Sequence, residues 1–93
     1  MTAQLRIDRH DQEVRQQVLK LLGEGYHVKA RMDGWFDPPD VINGYRPDIV
    51  AYKGTDWIII EVKKAETDWP KIAALEQFHG ENPNYKLCII ELK

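Results

Sequence analysis

Apolar and polar residues alternate along the chain with two different periods, which predict helices in some segments and strands in others. From Asp8 to about Glu24, apolar side chains recur every three or four residues without an intervening proline, as in an amphipathic helix. A second stripe of this kind follows a cap supplied by Thr67 or Asp68 and ends at residues 80–83. The helical period therefore predicts two helices, one early and one late in the chain.

Strand character appears in four further segments, either as alternation of apolar and polar residues or as short, continuous apolar runs. These segments are residues 26–32, 48–52, 57–64 and 85–93. The second and third are joined by a short turn that contains Gly54, so they are expected to form a hairpin. The predicted order is αβββαβ, an α/β fold in which helices flank one mixed sheet.

The charge balance excludes one class of nucleic-acid-binding protein. Among 93 residues, 13 Lys and Arg stand against 15 Asp and Glu, which gives a formal net charge of −2. A polycation that binds nucleic acid through bulk charge alone is thereby excluded, whereas a local basic face is not. The length predicts a single domain over residues 1–93.

Cysteine usage and hydropathy indicate the compartment. Cys88 is the only cysteine, and a secreted domain of this size would usually need several disulfides, so a cytoplasmic location is expected. The first residues are polar and lack the apolar segment of a signal peptide. No apolar run approaches the roughly 20 residues of a membrane span, so no membrane partner is expected.

Charged residues cluster at the open end of the predicted hairpin, opposite its turn. Because side chains alternate between the faces of a strand, Glu61 and Lys63 share one face after an apolar run. Asp48 follows Pro47 at the start of the preceding strand, thirteen positions before Glu61. Antiparallel pairing through the glycine turn sets the start of one strand opposite the end of the other. Asp48 is therefore expected within a few ångströms of Glu61 and Lys63.

Two carboxylates beside one ammonium suit the metal-dependent hydrolysis of a phosphate ester. Mg²⁺ takes oxygen ligands, typically one or two carboxylates together with waters and substrate phosphate. The metal acidifies a water and offsets the charge that builds on the phosphoryl group. A neighbouring lysine can orient that water or stabilise the phosphoryl oxygens. A plainer interpretation is that Glu61 and Lys63 are a solvated pair that ends the strand.

The segment Gly44-Tyr-Arg-Pro-Asp48, followed by Glu61-Val-Lys63 within the order αβββαβ, resembles the PD-(D/E)xK nuclease superfamily. That superfamily includes restriction endonucleases, Holliday-junction resolvases and small phage-type repair nucleases. The resemblance covers almost the whole chain and implies a minimal restriction-endonuclease-like core. It makes Asp48 and Glu61 ligands of Mg²⁺ or Mn²⁺, Lys63 the catalytic lysine, and the backbone carbonyl of Val62 a further metal ligand.

The resemblance also points to both helices, where many relatives place additional site residues. Glu13 is the candidate acid on the first helix, although Asp11 lies nearer the edge of its apolar stripe. Gln77 is the candidate on the second helix. A second Pro-Asp pair, Pro39-Asp40, lies inside the irregular segment 33–47 and ranks below the pair at the strand start.

Residues that follow the motif are candidates for contacts with nucleic acid. Lys64 and Lys71 could bind backbone phosphates, and Trp69 could stack on a base. Each has a plainer interpretation as an ordinary surface residue.

The irregular segment 33–47 is long for so small a domain, and such segments are often functional. Its three aspartates would repel a DNA backbone that faced them, so they could instead mark a partner-binding segment or bind a second cation. Trp35 and Phe36 are either an anchor for the segment or part of a partner surface.

These residues together predict a metal-dependent endonuclease that hydrolyses DNA phosphodiester bonds. One alternative is a catalytically silent nuclease-fold subunit that binds or regulates together with a partner protein. Another is a plain α/β interaction domain in which Glu61 and Lys63 form an ion pair. Because few residues lie outside the core, specificity is expected from segment 33–47, from a second copy of the chain, or from another protein.

Overall fold

The computed structural model describes residues 9–32, 36–63 and 69–92, which form two helices and one four-stranded sheet. The elements are α1 (Arg9–Gly23), β1 (His27–Ala30), β2 (Ile49–Lys53), β3 (Asp56–Lys63), α2 (Trp69–Glu81) and β4 (Tyr85–Glu91). The predicted order αβββαβ is therefore confirmed. Thr67, Asp68 and Lys64, to which a cap and a phosphate contact were assigned, lie outside the described residues. In the described part of the chain, neither helix is long and apolar enough to cross a membrane.

The sheet is mixed, as predicted, and its strands lie in the order β1-β2-β3-β4. β1 pairs with β2, and β2 with β3, in antiparallel fashion, whereas β3 and β4 are parallel. A parallel pair needs a crossover connection, and α2 supplies it. Gly54 in the hairpin turn has a φ of 61°, a left-handed conformation that glycine adopts without a Cβ clash.

Helices cover both faces of the sheet, because β3 is apolar on both sides. Ile60 and Val62 belong to a buried cluster that includes Val14 of α1. Ile59 points the opposite way and packs with Leu75 of α2. The last residues of β3 therefore emerge between the two helix layers.

Part of the irregular segment between β1 and β2 is anchored to the core. Phe36 packs against the buried cluster beneath α1, so this ring is an anchor, whereas Trp35 lies outside the described residues. Farther along, Asn43 and Gly44 form a tight turn with φ angles of 49° and 87°. Asn43 Nδ2 donates a hydrogen bond of 3.0 Å to the Ala74 carbonyl, which ties the turn to α2.

Aromatic rings form a row across the four strands at the end of the hairpin that carries the turn. His27 stacks on Tyr52 with 4.9 Å between ring centroids, and Tyr52 stacks on Trp57 with 4.8 Å. The ring centroids of Trp57 and Tyr85 are 5.3 Å apart, with the two rings tilted by 35°. Such cross-strand pairs stabilise a sheet, so Trp57 has a structural role at the end opposite Asp48.

Candidate active site

Asp48 and Glu61 face each other at one end of the β2–β3 hairpin. The register pairs Ile49 with Ile60, so the residue before Ile49 lies opposite the residue after Ile60. Both side chains are buried, since Asp48 is 1% exposed and Glu61 is 6% exposed. The convergence expected from the hairpin turn is therefore present in the structure.

Each carboxylate is held by the backbone of the other strand. The Asp48 N–H donates a hydrogen bond of 3.1 Å to Glu61 Oε1. In return, the Val62 N–H donates a hydrogen bond of 2.9 Å to Asp48 Oδ2. These bonds to ionised oxygens compensate part of the cost of burying two carboxylates side by side.

Lys71 of α2 forms an ion pair with Glu61. Lys71 Nζ lies 2.8 Å from Glu61 Oε2, and the side chains are 12% and 8% exposed. The sequence predicted Lys71 as a phosphate contact and did not predict this contact with a site carboxylate. Lys71 precedes the buried Leu75 by one helical turn, so it continues the packed stripe of α2 toward the hairpin end. A lysine at a stripe position was the signal available in the sequence.

His10 of α1 contacts Asp48 from the other helix layer. His10 Nε2 lies 3.0 Å from Asp48 Oδ2, where an imidazole N–H donates and the carboxylate accepts. Sequence reasoning assigned His10 no part in the site. The available signal was again position, because His10 precedes the buried Val14 by four residues and so extends the stripe of α1.

Burial raises the pKa of the Glu61 carboxyl group above its ordinary value of 4.5, because a desolvated carboxylate is disfavoured. The hydrogen bond from Lys71 acts in the opposite direction, and the negative charge of Asp48 raises the pKa further. The net result is a carboxyl group that holds its proton more strongly than one in water does.

The ammonium of Lys63, the lysine of the motif, lies against two other side chains. Lys63 Nζ is 4.0 Å from the centre of the Trp69 ring and 3.7 Å from Glu91 Oε1. Trp69 is the first residue of α2 and is 62% exposed. The catalytic role of Lys63 and the base-stacking role of Trp69 stay predictions.

The remaining candidates lie in different surroundings. Glu13 of α1 is half-buried and accepts a hydrogen bond of 2.8 Å from Gln17 Nε2. Gln77 of α2 is exposed, as are Asp37 and Asp40 in the segment before β2. Their proposed roles in catalysis and cation binding stay predictions, and the contact from α1 to the carboxylate pair comes from a different residue of that helix.

The donor set fits a hard divalent cation. Among the described residues, no group of three or more His, Cys, Asp and Glu side chains is arranged to hold a metal ion. Asp48 and Glu61 nevertheless offer carboxylate oxygens at adjacent positions, and Mg²⁺ commonly binds one or two carboxylates with waters and phosphate. The pair therefore suits Mg²⁺ or Mn²⁺, with the Val62 carbonyl as a predicted further ligand.

Comparisons with known proteins bear on the fold. No protein-family model matches the chain, and no curated protein matches it. Among solved structures, the chain is similar to Archaeoglobus fulgidus Hjc, a Holliday junction resolvase from an archaeal hyperthermophile, with 18% identity and a TM-score of 0.52. The match covers 88% of this chain and 68% of the resolvase. The chain therefore has a resolvase-like αβββαβ fold, which is the fold expected from its resemblance to the PD-(D/E)xK superfamily.

Proposed function

We propose that this chain is a metal-dependent nuclease that hydrolyses phosphodiester bonds in DNA. The observation that carries the proposal is the buried pair Asp48 and Glu61, linked by a 3.1 Å hydrogen bond at the end of the central hairpin. Two adjacent buried carboxylates oppose folding through desolvation and mutual repulsion, and a bound cation would relieve both effects. The resolvase-like fold supports a phosphodiester substrate.

The residues of the chain have distinct tasks in this proposal. Asp48 and Glu61 would hold Mg²⁺ or Mn²⁺ through their carboxylate oxygens, and the cation, when bound, supplies Lewis acidity and an acidified water. Lys63 is the lysine assigned to orient that water, and its flexible stem of four carbons lets the ammonium, now 4.0 Å from the centre of the Trp69 ring, reach other positions with little covalent strain.

The proposal is tested by cleavage of labelled DNA by the purified chain. The substrates are a four-way junction, linear duplex, single-stranded DNA and a matched RNA, each with Mg²⁺, Mn²⁺ or EDTA. We expect cleavage of at least one DNA substrate with either metal and none with EDTA. Absence of cleavage on every substrate with both metals would contradict the proposal, as would full activity in EDTA.

A second candidate is a nuclease-fold subunit without catalytic activity that binds DNA or regulates a partner protein. The contact of Lys63 with Trp69 and Glu91 favours it, because the motif lysine is engaged by other side chains. A cleavage assay combined with a gel-shift assay distinguishes the two candidates. DNA binding without cleavage under every metal condition supports the silent subunit, whereas metal-dependent cleavage excludes it.

We propose that specificity for a DNA structure or sequence comes from surface outside the two helices and the sheet. The candidate contributors are the segment before β2, a second copy of the chain and a separate partner protein. Sedimentation of the chain alone and with a four-way junction distinguishes the first two. A homodimer on the junction supports pairing of two active sites, and a monomer on the junction excludes it.

A further inference from the structure

The two edge strands of the sheet differ in how their outer sides are used. β1 has 4 residues, and its Ala30 N–H donates a hydrogen bond of 3.0 Å to the Asp37 carbonyl in the segment before β2. β4 has 7 residues, and no strand of the described residues pairs with its outer side. The sheet therefore has one short edge bonded by its own chain and one long open edge.

The backbone groups that β4 presents outward follow from its pairing with β3. The Leu92 N–H donates a hydrogen bond of 2.9 Å to the Lys63 carbonyl. Because successive residues of a strand direct their N–H and C=O groups to opposite sides, even-numbered residues of β4 face β3 and odd-numbered residues face outward. The outward groups therefore belong to Leu87, Ile89 and Glu91. Such a row of N–H and C=O groups is a template for another strand.

The side chains of β4 do little to prevent pairing. Proteins usually protect an edge with proline, a bulge or several charges. The charged residues of β4, Lys86 and Glu91, lie near its two ends, and the residues between them are Leu, Cys, Ile and Ile. Cys88 is exposed, and the other three are half-buried. The middle of the edge is therefore apolar and within reach of a second strand.

We propose that β4 pairs in antiparallel fashion with β4 of a second copy of this chain, with Cys88 at the two-fold axis. The two four-stranded sheets then form one continuous sheet. The inference concerns assembly and does not depend on whether the site cleaves DNA.

Charge favours this occupant and this direction. Parallel pairing of two copies in register would set Lys86 beside Lys86 and Glu91 beside Glu91, and like charges directly opposite each other destabilise a sheet. Antiparallel pairing instead sets the basic end of each strand at the acidic end of the other. β4 is therefore complementary in charge to a second copy of itself.

The position of the axis follows from the backbone groups. In a symmetric antiparallel pair, outward-facing residues lie opposite outward-facing residues, so odd-numbered residues pair with odd-numbered ones. An axis at Cys88 sets Leu87 opposite Ile89 of the second copy and pairs the whole of β4. An axis at Leu87 or Ile89 shortens the paired stretch, and the latter sets Leu87 opposite Glu91.

Both helices lie toward the middle of the sheet, which leaves the β4 edge accessible. Among the described elements, α1 contacts β1, β2 and β3, and the buried Leu75 of α2 packs with Val50 and Ile59. Because Glu61 is in register with Ile89, the pairing sets the Cα atoms of the two Glu61 residues about 16 Å apart on one face. A substrate with two strands could then reach both sites from one side.

Disulfide trapping tests the register. Cysteines opposite each other at a non-hydrogen-bonded position have Cα atoms about 4.5 Å apart, which a disulfide can bridge. Diamide accepts the two electrons and two protons that two thiols lose, and it should convert most of the wild type to a covalent dimer on a non-reducing gel.

Two variants in a Cys88→Ser background are the matched controls. Lys86→Cys, on the same face of β4 and also exposed, should not crosslink, because residue 86 of the two copies would lie about 14 Å apart. A mixture of Lys86→Cys and Ile90→Cys should crosslink, because these positions lie opposite each other in the proposed register.

Sedimentation equilibrium under reducing conditions tests the interface without a crosslink. Wild type and Cys88→Ser should dimerise at concentrations up to about 100 μM. Cys88→Lys sets two ammonium groups opposite each other at the axis and should weaken the dimer at least about tenfold. Gln16→Lys, which adds the same charge at an exposed position of α1, should dimerise like wild type. Circular dichroism checks folding, and Cys88→Glu replaces Cys88→Lys if the latter does not fold.

The outcomes separate this inference from the proposed function. Wild type that stays monomeric at every concentration overturns the inference, as does a Cys88→Lys dimer as stable as wild type. A wild type that diamide does not crosslink, or a Lys86→Cys variant that crosslinks equally well, also overturns it. Metal-dependent DNA cleavage keeps the proposed function in each of these cases. A dimer with the expected crosslinks that cleaves no DNA keeps the inference and contradicts the proposed function.

Discussion

The backbone N–H of Asp48 donates a hydrogen bond of 3.1 Å to the carboxylate of Glu61, thirteen residues farther along the chain. The Asp48 carboxylate in turn accepts a hydrogen bond of 2.9 Å from the N–H that follows Glu61. The geometry of the pair is therefore fixed by the β2–β3 ladder and not by side-chain packing alone. Sites built on strands hold their groups more firmly than sites built on loops.

The two Pro-Asp pairs of the chain provide a matched test of the site. Asp48→Asn keeps an oxygen that can accept the Val62 N–H, but it removes a charged metal ligand. We expect metal-dependent cleavage to fall at least about 100-fold, since even indirect partners of a metal ligand commonly contribute 10- to 100-fold. Asp40→Asn, at the exposed Asp of the other pair, should cleave like wild type.

Initial rates on the best DNA substrate, measured at equal concentrations of folded protein, compare these two variants. Equal loss of activity in both would remove the distinction between the pairs. Full activity of Asp48→Asn would show that the metal site lies elsewhere.

The raised pKa of Glu61 predicts a pH-dependent difference in stability between wild type and Glu61→Gln. A group with a raised pKa in the folded state binds more protons there than in the unfolded state. Its contribution to stability is present below the ordinary value of 4.5 and is lost as pH rises through the raised pKa. Wild type should therefore lose stability relative to Glu61→Gln as the pH rises from about 4 to neutrality.

Urea unfolding at a series of pH values, followed by circular dichroism, gives this difference directly. Gln77→Glu, an exposed change on α2, serves as a control for the effect of one added carboxylate. A difference between wild type and Glu61→Gln that stays constant or grows in favour of wild type with rising pH would contradict the raised pKa.

The contact of His10 with Asp48 should contribute to stability. Loss of a hydrogen bond to a charged group usually costs more than loss of a neutral one, so His10→Ala is expected to lower the free energy of unfolding by about 1–3 kcal/mol. Gln16→Ala, at an exposed position of the same helix, should change it by less than about 0.5 kcal/mol. Equal effects in chemical unfolding would mean that the His10 contact contributes no stability.

The packing of α2 on the sheet predicts unequal effects for the same substitution at two leucines. Leu75 is 0% exposed, whereas Leu22 on α1 is 42% exposed. Leu75→Ala should lower the free energy of unfolding by about 2–5 kcal/mol, because it leaves a cavity beneath α2. Leu22→Ala should lower it by less than about 1 kcal/mol. A similar midpoint of urea unfolding for the two variants would contradict the described core.

The sequence was sufficient to predict the order of helices and strands along the chain and the meeting of Asp48 with Glu61. Both depend on local signals, namely the alternation of apolar residues and the length of a glycine turn, which together set the register of a hairpin. The ends of the elements were less well predicted. β1 covers His27–Ala30, shorter than the expected 26–32, although the Arg31 N–H still donates a hydrogen bond of 2.9 Å to the Asp48 carbonyl, and strand ends of this kind differ by a residue or two with the criterion applied.

The contacts of the two helices with the site were not predicted. Lys71 and His10 meet Glu61 and Asp48 because each helix lies along the sheet with its first turn at the end of β3. How far a helix slides along a sheet depends on packing between residues distant in sequence, which no local pattern specifies. Lys71 and His10 could be recognised in the sequence as polar residues in line with the buried stripe of each helix, but the sequence did not show that their partners are Glu61 and Asp48.

Crystals of the chain soaked in Mn²⁺ test the central claim most directly, because anomalous scattering locates the metal without a model of the site. We expect one Mn²⁺ peak within about 2.0–2.4 Å of carboxylate oxygens from both Asp48 and Glu61. The same soak of Asp48→Asn crystals should lose most of this peak. A wild-type map without density between Asp48 and Glu61 at saturating Mn²⁺, or with the metal bound only elsewhere, would contradict the proposed nuclease site.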